Sequence, residues 1–150
     1  MARIMMLFLA VPMLQGCFGS AQSARGPAPC VKPTQVDQVI EWGTVNEDVF
    51  TIDAHGAISR LEINADTSIT ALGWIPYEAY CDAASAVTDA FLKVQALHSP
   101  GQRVRYIRYS NPSTGVYLQA VWNPDLQTFQ SRDMRRLYDS LMELTSSASD

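Results

Sequence analysis

Asp53 and His55 sit two residues apart in the stretch Asp53-Ala54-His55-Gly56. A carboxylate beside an imidazole is the pairing that a general base and its orienting group require. A polar hairpin turn explains the same residues without chemistry, because Asp at the first position and Gly at the last favour a four-residue turn. His98-Ser99 is a second imidazole–hydroxyl pair, but it stands where a helix is expected to end, and both residues are ordinary there. No G-x-S-x-G marks a nucleophile, and no glycine-rich loop marks a phosphate site. Asp53, Glu62 and Asp66 offer carboxylates to a cation, but without the spacing of a calcium loop. The cysteines and the two histidines match no zinc spacing. No catalytic residue, metal or cofactor is expected, and the chain reads as a non-enzyme.

The aromatic residues are more informative. Trp42, Trp74 and Trp122, with Tyr77, Tyr106, Tyr109 and Tyr117, are many for a small protein. Several fall on two arms, Arg103 to Ser110 and Val116 to Asn123, which flank Asn111-Pro112-Ser113-Thr114-Gly115. On the first arm Val104, Tyr106 and Arg108 alternate with Arg105, Ile107 and Tyr109. On the second, Val116, Leu118 and Trp122 alternate with Tyr117 and Val121. A one-sided sheet alternates apolar with polar residues. Here large residues stand on both sides. Either both faces are covered, or one is an aromatic-and-arginine surface of the kind enriched at protein interfaces. Arg105, Tyr106, Arg108, Tyr109, Tyr117 and Trp122 are the candidate binding surface.

The chain has 150 residues, 47% hydrophobic and 17% charged, which is globular rather than disordered composition. The formal net charge is −4. Nucleic acid is not an expected partner, because phosphate binding needs concentrated Lys and Arg. The basic clusters Arg103, Arg105, Arg108 and Arg132, Arg135, Arg136 are short and dispersed among acids, as on a solvated face.

Ile4 to Leu14 is an almost wholly apolar run of eleven residues after Met1-Ala2-Arg3. That is well short of the about 20 residues that span a bilayer, and it suits the apolar region of a secretory signal. Leu14-Gln15-Gly16-Cys17 follows. It resembles the lipobox of bacterial prolipoproteins, although Gln15 stands where a small or apolar residue is commoner. The resemblance covers residues 1–17. It implies cleavage before Cys17, acylation of that cysteine, and a mature chain with net charge −5, since residues 1–16 hold one Arg and no acid. Phe18, in place of an Asp, implies the outer membrane facing the periplasm in a Gram-negative cell. Ordinary secretion, with a small-x-small site at Ala21 and Ser23, is the competing reading.

Residues 17–29 read as a flexible tether. Gly, Ser and Ala loosen it, and Pro27 and Pro29 keep it from forming a helix. Fully extended, Phe18 to Pro29 span at most about 40 Å. A lipid on Cys17 leaves Cys30 and Cys81 among the three cysteines. An oxidising compartment permits them to pair. The bridge would close a loop of about 50 residues and contribute roughly 4 kcal/mol in the chain-entropy model. Two separate buried thiols are the alternative.

Beyond the tether a single domain is expected, residues 30–150. Val36 to Val45, Val49 to Ile52, Ala57 to Ile63 and, more weakly, Ser68 to Leu72 have strand composition. A helix is expected from Pro76 to the break at His98-Ser99-Pro100-Gly101, with Tyr80, Ala84, Val87, Phe91 and Val94 on its core face. The second hairpin follows. Ser131 then caps a final helix striped by Met134, Leu137, Tyr138, Leu141 and Leu144. This order predicts an α+β fold: an antiparallel sheet of four or five strands with two helices packed on one face.

The expected function is a non-enzymatic, protein-binding accessory module in the cell envelope. Its partners would be the membrane, through Cys17, and an unidentified envelope protein. An inhibitor of a lysozyme or protease is the first alternative, acting through the loops Asp53–Gly56 or Asn111–Gly115. A glycan or small-ligand binder is the second, with Trp42, Trp74 or Trp122 stacking on a sugar.

Overall fold

A computed structural model describes residues 37–63, 67–94 and 97–148. The signal segment, Cys17, the tether, Cys30 and Asp66 lie outside the described residues. No helix among the described residues is long and apolar enough to cross a membrane.

The sheet is built outward from β1 (Val39–Thr44). On one side β1 pairs with β2 (Val49–Asp53), β2 with β3 (Ala57–Glu62), and β3 with β4 (Ser68–Trp74). On the other side β1 pairs with a later hairpin strand, Arg105–Asn111, which pairs in turn with Val116–Trp122. Between β4 and that hairpin come α1 (Tyr77–Lys93) and β5 (His98–Ser99). The hairpin strands are therefore β6 and β7, and α2 (Arg132–Ser147) closes the chain. The order across the sheet is β4-β3-β2-β1-β6-β7-β5.

This is an α+β fold, as expected, but the sheet is larger and mixed. Among the described residues seven strands replace the four or five predicted, and β5 runs parallel to β7 where an all-antiparallel sheet was predicted. The main correction concerns His98-Ser99. The helix stops at Lys93, with Val94 already at φ −110° and ψ 84°. Leu97 is drawn into the core at 5% exposure. Its carbonyl accepts the Val121 amide at 2.8 Å, and the Ser99 carbonyl accepts the Asn123 amide at 2.8 Å. A two-residue strand is too short to carry a period-2 pattern, so nothing local announces it.

Register decides which side of the sheet each residue faces. Ile40 stands opposite Ile52 and Tyr109; Trp42 stands opposite Phe50 and Ile107. Apart from half-buried Phe50, which packs against them, these residues share one buried cluster with Tyr80, Val87, Met134 and Leu141 of the helices. Both helices therefore cover the same face. Trp42 stacks on Phe50 with 5.9 Å between ring centroids, and Trp122 meets Tyr138 edge-on at 5.9 Å. Large side chains buried this completely each contribute roughly 1.5–3 kcal/mol of transfer free energy. Tyr80 adds a buried polar link, its hydroxyl donating to Gln38 Oε1 at 2.9 Å.

The two expected turns are present. Asp53 Oδ1 accepts the amides of His55 at 2.8 Å and Ala57 at 3.0 Å, and Gly56 supplies the φ of +83° that closes the turn. Between β6 and β7, Pro112–Thr114 form a single 3-10 turn that ends at Gly115 with φ +66°. Two helix starts differ in detail from expectation. Pro76 is the cap, with extended ψ of 148°, rather than the first helical residue. Ser131 does not cap α2 with its side chain. Its φ of −83° and ψ of −7° are already helical. A capping side chain needs an extended residue to reach the first amides. Ser131 Oγ instead bonds back to Thr128, and only its carbonyl serves the helix, accepting Arg135 N–H at 2.9 Å.

Candidate functional site

The six residues of the candidate surface are divided between the two faces of the sheet. Side chains alternate along a strand. Arg105, Ile107 and Tyr109 therefore face the helices, while Tyr106 and Arg108 face away. Arg105 lies 4.6 Å over the Tyr138 ring, Tyr109 is buried, and Trp122 is fully buried. These three belong to the packed layer and are corrected out of the surface. Tyr106, Arg108 and Tyr117 remain together on the open face.

That face has a defined arrangement. Arg108 stands directly opposite Glu41 on β1 and directly opposite Gln119 on β7. Its Nη1 donates to Glu41 Oε1 at 2.8 Å. The guanidinium carbon lies 5.5 Å from the Tyr106 ring centroid and 5.8 Å from that of Tyr117, both within cation–π range. The Tyr117 hydroxyl donates to Gln119 Oε1 at 3.1 Å. Burial, and then its hydrogen bond to Glu41, push the Tyr106 hydroxyl well above the ordinary tyrosine range. Tyr117 is 57% exposed. Beside this cluster an open cavity of about 440 Å³ is walled by Val49, Val104, Val121 and Glu41.

Glu41 and Gln119 were missed by sequence reasoning. Each reads alone as an ordinary polar strand residue. Only the pairing of β1 with β6 and of β6 with β7 brings them to Arg108, and a β1–β6 contact spans more than sixty residues of chain.

The residues first read for chemistry are not assembled into a catalytic group. The Asp53 carboxylate is taken up by backbone amides of its own turn. Glu62 pairs with Arg60 at 3.4 Å, and Asp66 lies outside the described residues. Among the described residues no three His, Cys, Asp or Glu side chains are placed to hold a metal. Cys81 is disulfide-bonded; Cys30, its expected partner, lies outside the described residues. Of the three tryptophans only Trp74 is accessible, at 59%, while Trp42 and Trp122 are too deeply buried to stack on a sugar. The turns Asp53–Gly56 and Asn111–Gly115 project from the same end of the sheet, since Val39 is paired with both Asp53 and Ser110.

No family model matches the chain, and no curated protein matches it in sequence.

Proposed function

We propose that the chain is an outer-membrane lipoprotein, tethered through acylated Cys17 and facing the periplasm, whose single α+β domain (residues 30–150) is a non-enzymatic protein-binding module. The disulfide on Cys81 is assigned to Cys30. The observation that carries the binding role is the Tyr106–Arg108–Tyr117 cluster, held on the open sheet face by Glu41. Tyr and Arg are, with Trp, the residue types enriched at interface hot spots, and ring contacts with an ion pair present Arg108 at reduced entropic cost on binding. The envelope location rests on the lipobox.

A photoreactive residue at position 117 tests the binding role in cells. Repeated capture of one envelope protein, lost with Arg108→Ala and absent from a probe at Leu92, supports it. Absence of any specific adduct from an abundant, folded protein refutes it. Cys17→Ser tests the anchor: the protein leaves the membrane fraction if the lipid holds it there.

A second reading, inhibition of a lysozyme or protease, is favoured by one feature. The two tight turns stand at the same end of the sheet, where rigid loops could enter an enzyme cleft together. Inhibition assays with His55→Ala and Ser113→Ala distinguish it. A glycan reading narrows to Trp74.

A further inference from the structure

β4 is an edge of the sheet. Among the described residues it pairs only with β3. Ser68 to Ala71 are all exposed, Ile69 at 75%. Protein edges are ordinarily blunted by charged residues, proline or bulges that disrupt pairing. β4 contains no charged residue and no proline. Its irregularity sits late in the strand: Gly73 is opposite Ile58 and Ala71 opposite Ser59, so Leu72 is the extra residue. Ser68 to Ala71 keep regular register ahead of it.

We propose that β4 pairs antiparallel with β4 of a second copy of this chain, about a two-fold axis at Thr70. Among the registers that match face to face, residue volume selects this one. Ser68 and Thr70 stand opposite Glu62 and Arg60 on the helix side, where Leu72 also packs against the core. Ile69 and Ala71 stand opposite Leu61 and Ser59 on the open side. A sheet continued through the axis must match like face to like face. With Thr70 opposite its own copy, Ile69 meets Ala71 and Ser68 meets Leu72. Each large residue then faces a small one on both sides of the joint sheet, and the central pair is Thr–Thr, a favourable cross-strand pair. An isologous contact sets residues at and near its axis against or beside their own copies, so a charge there would meet its like. β4 has none to oppose. An edge shaped for a different protein would have no need of this internal match of volumes. The inference is independent of the open-face binding reading, because it uses a different part of the sheet.

Thr70→Cys in the full-length protein, in its own membrane, is the test. Opposite Cβ atoms lie about 4.5–5.5 Å apart, close enough for a disulfide after small adjustment. A reducible dimer from Thr70→Cys, with none from Leu92→Cys on the exposed side of α1, is the expected result. Sedimentation of detergent-solubilised full-length protein gives a second readout. Ile69→Lys is expected to weaken self-association about tenfold, because it sets two lysines near the axis. A monomer at all concentrations together with no Thr70 cross-link overturns the proposal. So does a dimer indifferent to Ile69→Lys, or a Thr70 adduct to a different protein.

Discussion

Glu41 and Arg108 face each other across β1 and β6 on the sheet surface opposite the helices, with 2.8 Å between carboxylate and guanidinium. Both side chains are partly exposed, at 25% and 35%. Solvent and counterions screen such a pair, so its contribution to stability is small. Arg108→Ala should change unfolding free energy by no more than about 1 kcal/mol. It should also abolish partner capture from position 117. Urea unfolding and in-cell crosslinking of the same variant separate the two effects. A large stability loss would make Arg108 structural instead.

Trp42 and Trp122 are the largest side chains in the buried layer. Trp122→Ala should destabilise the protein by roughly 3–5 kcal/mol, through lost transfer energy and the cavity left behind. Tyr117→Ala, on the opposite face of the same strand, should cost well under half of that. Paired denaturation curves check the contrast.

Gly56 and Gly115 both adopt left-handed backbone, but their surroundings differ. A Cβ at Gly56 would lie 2.4 Å from the Ile75 carbonyl oxygen, whereas one at Gly115 would meet nothing within 4 Å. Gly115→Ala should therefore cost only the conformational penalty, about 1–2 kcal/mol. Gly56→Ala should cost more, because the same penalty is joined by a backbone clash. Thermal unfolding of the two variants gives the order directly.

Tyr80 and Tyr106 have hydroxyls raised above the ordinary value, both principally by burial. Unfolded, they ionise near the usual tyrosine value of about 10. A group raised in the folded state contributes stability that is complete below the unfolded value and is lost as pH rises toward the folded one. Stability should therefore fall from about pH 10 upward, and less steeply in Tyr106→Phe. Urea midpoints between neutral and strongly alkaline pH measure it. Tyr80→Phe is a poorer probe, because it strips the donor from buried Gln38.

Cys81 is disulfide-bonded. If Cys30 is its partner, Cys30→Ser should free one thiol at Cys81 and lower stability by up to about 4 kcal/mol. Thiol counting under denaturing, non-reducing conditions checks it. A Cys81 still blocked in Cys30→Ser would exclude the pairing.

Local chemistry determined much of this protein. The strand composition of Val36 to Val45, the Asp53–Gly56 and Asn111–Gly115 turns, and the stripe from Met134 to Leu141 are all legible as sequence. Each depends on interactions within a few residues, and strand or helix period follows from them. Only tertiary structure decided the rest. Joining the two hairpins through β1 and β6 made one large sheet and carried Glu41 to Arg108. Laying both helices on one face turned Arg105, Tyr109 and Trp122 inward and left Tyr106, Arg108 and Tyr117 outside. Period 2 divides a strand into two faces but does not say which is buried, when both carry large residues. That choice belongs to the partners a strand finds across the chain. The same holds for His98-Ser99, which became a strand only because β7 offered an edge beside it.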